Sequence, residues 1–130
     1  METNKNFSIL ITEDDVMLRD MYKMRLEAEG YIIDTADNGL ECLKKVKASK
    51  PDLILMDIMM PVMDGLTALK KLKSDPEMKD VPVIIMTVLI QEEKRKEGID
   101  LGAEDYLIKS ETMPQDVVAK IKEVIAKYHS

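Results

Sequence analysis

Two tetrapeptides constrain this chain more than anything else in it: Leu53-Ile54-Leu55-Met56 and Val83-Ile84-Ile85-Met86. Neither shows polar alternation. A strand with one wet face alternates, whereas a strand that is apolar at every position needs cover on both faces, as in a parallel sheet between two layers of helices. Phe7–Thr12, Tyr31–Ala36 and Asp105–Ile108 also read as strands, and the second dense run extends over Val81–Thr87. With starts at 7, 31, 53, 81 and 105, the spacings are 24, 22, 28 and 24 residues. Such connections are too long for hairpins and long enough for crossover helices.

The intervening segments carry helical spacing. Leu18, Met21, Tyr22 and Leu26 mark the first helix, with Gly30 as its stop; Leu40, Leu43 and Val46 mark the second, ending before Pro51. Leu66, Leu69 and Leu72 follow Asp64-Gly65, and Val117, Val118, Ile121, Val124, Ile125 and Tyr128 form the last stripe. Thr112 and Gln115 stand at capping-box spacing before that helix, with Pro114 tolerated in its first turn. The segment Gln91–Leu101 has almost no apolar stripe and a glycine inside, so it is expected to be the most weakly held helix. Five strand–helix units predict an α/β fold, a (βα)5 doubly wound sandwich around a five-stranded parallel sheet.

Composition removes several function classes. Nineteen Lys and Arg against 25 Asp and Glu give a formal charge of −6, with no basic surplus for neutralising nucleic-acid phosphates. No apolar run approaches a bilayer span, and the polar start, Met1 to Phe7, does not resemble a signal peptide. Membrane and nucleic-acid partners are therefore not expected, and a cytoplasmic location is. One cysteine, Cys42, excludes an internal disulfide and a multi-cysteine zinc site; it reads as a small packed residue. The one histidine, His129, lies near the end of the last helix, away from any triad or zinc motif.

In open parallel sheets, ligands bind beyond the carboxyl ends of the strands. At those ends stand Glu13, Asp14 and Asp15, then Asp57, Thr87 and Lys109. Each has an ordinary reading too: helix cap, turn residue, last β-branched residue of a strand, loop lysine. Their convergence on one edge favours chemistry. Crowded carboxylates repel unless a cation neutralises them, and an all-oxygen set suits Mg²⁺. With Thr87 and Lys109 to hold phosphoryl oxygens, the set suits acceptance of a phosphoryl group on Asp57.

Four segments then carry a family resemblance: Ile9–Asp15, Asp52–Gly65 (DLILMDIMMPVMDG), Val83–Thr87 and Gly102–Lys109. The chain resembles a receiver domain of two-component response regulators, stand-alone and similar to the chemotaxis regulator. The resemblance implies a flavodoxin-like sheet in the order 2-1-3-4-5 and covers essentially the whole chain. Residues 1–130 are expected to be a single receiver domain with no output domain in the sequence, either a stand-alone regulator or a piece of something longer. It makes Asp57 the phosphoacceptor, Glu13 and Asp14 the acidic metal pair, and Met59 a backbone-carbonyl ligand to Mg²⁺. Asp15 is left to cap the first helix. Thr87 and Lys109 match the hydroxyl and ammonium that bind the phosphoryl group, and Tyr106 matches the aromatic that turns inward when the threonine moves. The implied donor is a histidine kinase or histidine phosphotransfer protein. The implied output is a re-posed face of helix 4, strand 5 and helix 5 acting on a protein target, from a monomer or a phosphorylation-dependent dimer.

Four positions depart from the family pattern. Ser110 stands where proline commonly follows the lysine through a cis bond, and bulky Val88 follows Thr87. Met59 and Leu89, two beyond Asp57 and Thr87, cannot orient an attacking water, so a long-lived phosphoaspartate is expected. Met17, Met59, Met60, Met63, Val88 and Leu89 are expected to form an apolar rim that docks a donor helix pair, while Met21, Met56 and Met86 are expected in the core. An aspartyl phosphatase would need a general acid where Met59 stands, so no turnover on outside substrates is expected beyond the domain's own phosphorylation and dephosphorylation. An FMN carrier would need a phosphate-cradling loop where three acids stand. A receiver-like binding module that works without phosphate is the remaining alternative.

Overall fold

A computed structural model describes residues 7–129; the polar start read over Met1 to Phe7 lies, but for Phe7, outside the described residues. The elements alternate as β1 (Ser8–Thr12), α1 (Val16–Ala28), β2 (Ile32–Ala36), α2 (Gly39–Ala48), β3 (Leu53–Met56) and α3 (Gly65–Ser74). They continue as β4 (Val83–Thr87), α4 (Glu92–Asp100), β5 (Asp105–Ile108), a 3-10 turn (Lys109–Glu111) and α5 (Pro114–His129). All strand pairs are parallel, and the order is β2-β1-β3-β4-β5. The chain reverses direction of winding between β1 and β3, which are neighbours.

Each residue of β3 and β4 is buried, and successive side chains feed two separate cores. Ile54, Met56, Val83 and Ile85 pack with Leu10, Cys42, Val46, Leu69 and Leu72, under α2 and α3. Leu53, Leu55, Ile84 and Met86 pack with Tyr22 and Leu26 of α1 and Val117, Ile121, Val124 and Ile125 of α5. Full burial of one such aliphatic side chain contributes about 1.5–3 kcal/mol. The sheet therefore tolerates no charge along its middle.

Helix ends follow local chemistry. Asp15, Asn38 and Asp64 cap α1, α2 and α3 by accepting from Leu18, Glu41 and Thr67 N–H groups. After α1, Gly30 at φ 101° lets the Gly30 and Tyr31 N–H groups return to the Glu27 and Leu26 carbonyls. That spends the Tyr31 amide, so β2 begins one residue later than the hydrophobic run suggests. Pro82 has no N–H, and β4 likewise begins at Val83 rather than Val81.

Two expectations need correction, the capping box of α5 and the extent of the buried helix faces. The capping box shifts by one residue: Met113 occupies the cap, its carbonyl accepts from Val117 N–H, and its own N–H donates to Asp116 Oδ2 at 3.3 Å. Thr112 instead ends the 3-10 turn. Met21, Leu40 and Tyr128 are exposed, because the buried arc of each helix is narrower than its apolar pattern. In α1 it is centred on Tyr22 and Leu26, and Met21 lies about a hundred degrees round from Tyr22.

The loop from β3 to α3 holds a strained residue. Val62 lies at φ 68°, and Met63 N–H donates to the Pro61 carbonyl at 2.7 Å, closing a three-residue turn. The turn persists because Gly39 N–H donates to the Met63 carbonyl at 2.9 Å and Gly65 N–H to Ile58 at 2.8 Å. A β-branched residue held at positive φ costs about 1–3 kcal/mol. Val62 is exposed, so its side chain offers little in return. Val62→Asn is expected to stabilise the fold by about 1 kcal/mol, raising the urea midpoint at unchanged slope; an unchanged or lower midpoint would contradict the strain.

Candidate functional site

Strand register delivers the site. Thr12 pairs with Met56 and Thr87 with Ile108, so the residues just past each strand share one edge of the sheet. Glu13 N–H continues the ladder to the Ala36 carbonyl at 3.0 Å, and Asp57 N–H continues it to Thr12 at 3.0 Å. Both carboxylates are thereby fixed from the backbone: Glu13 is 3% exposed and Asp57 6%.

Lys109 joins them. Its Nζ donates to Glu13 Oε1 at 2.7 Å and to Asp57 Oδ2 at 2.9 Å. The other Asp57 oxygen accepts from Ile58 N–H at 2.7 Å and from Met59 N–H at 3.4 Å. Glu13 Oε2 accepts from Asp15 N–H at 3.1 Å. Exposed Asp14 completes the set, and carboxylate oxygens of Glu13, Asp14 and Asp57 lie within 4.8 Å of one another. A compact all-oxygen donor set open to water on the Asp14 side fits a hard divalent cation such as Mg²⁺.

Charge in this cluster is unbalanced, three acids against one ammonium. Burial pushes the Glu13 carboxyl above its ordinary range; Lys109 and the Asp15 amide oppose that push, and the Asp57 charge adds to it. For Lys109 burial pulls downward, but the hydrogen bonds to Glu13 and Asp57 outweigh it and raise the ammonium's pKa.

Thr87 is completely buried at the end of β4, and its Oγ1 accepts from Leu89 N–H at 3.4 Å. Tyr106 is buried too, its hydroxyl donating to the Leu89 carbonyl at 2.9 Å. Thr87 and Tyr106 are thus joined through one residue, Leu89. Among the described residues no peptide bond is cis, so Lys109 is presented on a trans bond to Ser110 at the start of the 3-10 turn.

The apolar rim is only partly exposed. Met17, Met59 and Val88 face solvent, whereas Met60, Met63 and Leu89 are packed against the core beneath. Met56 and Met86 are core residues as expected. Cys42 is buried, which pushes its thiol up to about 11.

Two residues matter more than their types suggested. A Cβ on Gly65 would lie 2.0 Å from the Asp57 carbonyl oxygen, so only glycine lets the start of α3 close over Asp57. The Asp-Gly pair was visible as a turn, but not this approach. Arg19 donates from Nη1 to the Glu13 carbonyl at 3.4 Å and pairs with Asp37, bracing the acidic loop. Nothing in the helical pattern of α1 singles out that arginine.

The sequence matches the family model of the response regulator receiver domain over residues 9–122. The chain belongs to that family. It is 34% identical to the transcriptional regulatory protein ResD of Bacillus subtilis over 127 residues, 98% of this chain and 51% of that protein. Identity is also 34% to the phosphate regulon regulatory protein PhoB of Pseudomonas aeruginosa, over 92% of this chain and 52% of the other. The receiver thus spans about half the length of these curated relatives. Among solved structures, a two-component response regulator from Clostridium difficile superposes with TM-score 0.88 at 30% identity, covering 95% of this chain and 99% of the other. The chemotaxis protein CheY4 of Vibrio cholerae gives 0.83 at 30%, covering 91% and 98%. The 2-1-3-4-5 sheet of this chain is thus the flavodoxin-like fold that these structural neighbours superpose on. Among the described residues no helix is long and apolar enough to cross a membrane.

Lys109 is the one cation facing Glu13 and Asp57 among the described site groups. Lys109→Met would leave two buried carboxylates unpaired and is expected to cost about 2–3 kcal/mol, below the range for a sealed ion pair because Asp14 admits water. Asp57→Asn removes one of the crowded acids and is expected to be neutral or stabilising. Urea titrations of both variants at neutral pH check this; equal losses would contradict the charge imbalance.

Proposed function

We propose that this receiver is a phosphorylation switch that takes a phosphoryl group on Asp57 from a histidine of a partner kinase or phosphotransfer protein. The observation that carries this reading is Asp57 itself: a nearly buried carboxylate, held by two backbone amides, 2.9 Å from Lys109 and inside the Glu13–Asp14–Asp57 cluster. An Asp57 oxygen attacks phosphorus, the phosphorus–nitrogen bond to the donor histidine breaks, and the imidazole leaves with the electron pair. Mg²⁺ held by Glu13, Asp14, Asp57 and the Met59 carbonyl would supply charge neutralisation for the phosphoryl oxygens.

The remaining work falls to this chain's own groups. Backbone bonds to Oδ1 hold the carboxylate in a fixed pose, which removes orientational entropy from the attack. Lys109 offers its ammonium to the new phosphoryl oxygens while keeping Glu13. The Thr87 hydroxyl donates to another phosphoryl oxygen, which loosens its weak bond from Leu89 N–H. Leu89 also holds the Tyr106 hydroxyl, so the pull is passed to β5 and α4. Tyr106 is already inward, and phosphorylation then deepens the population of that arrangement rather than creating it. Turnover on outside substrates is not part of the reading, since Met59 offers no general acid.

Exposed Met17, Met59 and Val88 flank the site and give a donor helix pair an apolar landing surface. The output is a protein surface contacted through α4, β5 and α5.

Acetyl phosphate with Mg²⁺ is expected to add one phosphoryl group by intact mass, lost in Asp57→Asn and on removal of divalent ions. No adduct from a small-molecule donor or a histidine phosphodonor would overturn the switch in favour of a phosphate-independent module. With Met59 and Leu89 unable to orient water, the adduct is expected to outlast a day-length incubation in Mg²⁺; loss within minutes would refute that part. Thr87→Ala should still accept phosphate but leave amide exchange of α4 and β5 unchanged, while wild-type exchange responds. An equal response in Thr87→Ala would break the proposed route.

A further inference from the structure

We propose that α1 carries a self-association seam through which two copies of this chain pair in parallel. Met17, Met21, Met24 and Ala28 follow one another at spacings of four, three and four, the repeat by which a helix shows one continuous stripe to a partner helix. The stripe faces solvent: Met17 is 84% exposed, Met21 37% and Met24 71%, while Tyr22 and Leu26 face the sheet. Met21 and Met24 continue the stripe along the outer face of the helix away from the carboxylate cluster, and neither belongs to the buried core.

The flanking charges select the occupant. Asp20 and Arg25 border the stripe on opposite sides, five residues apart. In a parallel pair of helices, a flanking residue meets the residue five positions further along the second helix. Asp20 of one copy then meets Arg25 of the other, and two-fold symmetry makes the contact twice. An antiparallel pairing of two copies would set acid against acid and Arg25 against Arg25. Neither Asp20 nor Arg25 makes a hydrogen bond or ion pair with the described residues, whereas Glu27, further along, is tied to Lys23 at 3.1 Å. Self-complementary charges about an apolar stripe are what a second copy of the same helix requires. Methionine packs adaptably and specifies weakly, so the association is weak and concentration-dependent.

Met17 belongs both to this seam and to the exposed rim beside Asp57, so a paired copy offers a donor an incomplete landing surface. That consequence rests on the donor reading above; the pairing itself does not.

Sedimentation velocity from micromolar to millimolar protein tests the seam. A reversible monomer–dimer equilibrium is expected in the wild type. Asp20→Arg should weaken it by about tenfold, the scale of two exposed ion pairs, and the double variant Asp20→Arg with Arg25→Asp should recover it. Asp20, Met24 and Arg25 are all exposed, and circular dichroism checks that the variants stay folded. Met24→Cys should form a disulfide-linked dimer under mild oxidation; native Cys42 is buried and does not compete. A wild type that stays monomeric to millimolar concentration overturns the proposal. So does a dimer indifferent to both charge changes, or a Met24→Cys variant that fails to link.

Discussion

β3 and β4 are buried along their whole length by helices on both sides, and β1 is buried over its last four residues. A charge placed in the middle of such a sheet would have neither water nor a partner, and desolvation would cost several kcal/mol. Polar groups are admitted only where the strands run out. Parallel strands run out at the same edge, and the 2-1-3-4-5 order puts the ends of β1 and β3 side by side. Concentration of Glu13, Asp57, Thr87 and Lys109 in one place is therefore a consequence of how the sheet is covered, before any chemistry is asked of it.

Crowding those groups creates an electrostatic tension that the fold contains without removing. Glu13 and Asp57 share one ammonium, and Asp14 stands beside them without an ion pair to the described residues. Hydrogen bonds from the Ile58, Met59 and Asp15 amides take up part of the carboxylates' need for donors. Negative charge still exceeds positive, and a bound cation would relieve it. The close approach of Gly65 to the Asp57 carbonyl and the brace from Arg19 to the Glu13 carbonyl keep the acids from simply moving apart. Strain at Val62 is of the same kind: the loop that closes over Asp57 is held from Gly39 and Ile58 whatever the preference of its own residues.

Much of this was legible in the residues, and the reason differs by feature. Unbroken apolar runs at Leu53–Met56 and Val83–Met86 pointed to a two-sided sheet, since each is short and is separated from the next by a segment of helical spacing. Asp57, Glu13 and Lys109 were legible as strand-end residues once the sheet was parallel. Element edges were less so. Tyr31 and Val81 look like strand residues, but a helix-closing turn takes the amide of one and Pro82 follows the other. Met21 and Tyr128 look like core residues, because periodicity reports which side of a helix is apolar and not how far the cover over it extends. The inward pose of Tyr106 and the approach of Gly65 depend on tertiary distances that no spacing in the chain encodes.

Under the proposed switch, the same distances would pass a change at Asp57 to α4 first. This helix supports itself: Lys96–Asp100 at 2.9 Å, Lys94–Glu97 at 3.7 Å and Arg95–Glu92 at 4.0 Å all lie within it and face water. Such pairs add a few tenths of a kcal/mol to helicity and nothing to docking. Gly98 is its one buried residue, where an added Cβ would stand 2.7 Å from Ile85 Cδ1 and 3.4 Å from Tyr106 Cδ2. Arg95 reaches the Tyr106 carbonyl at 3.4 Å, a long bond. So α4 rests on the tyrosine whose hydroxyl is held by Leu89, and Leu89 is in turn held by Thr87. α3, with five buried residues, is anchored against such a pull. The weakly bound helix therefore lies at the end of the hydrogen-bonded route that leaves the Thr87 hydroxyl among the described residues, and a small displacement there costs least where the least apolar surface is engaged.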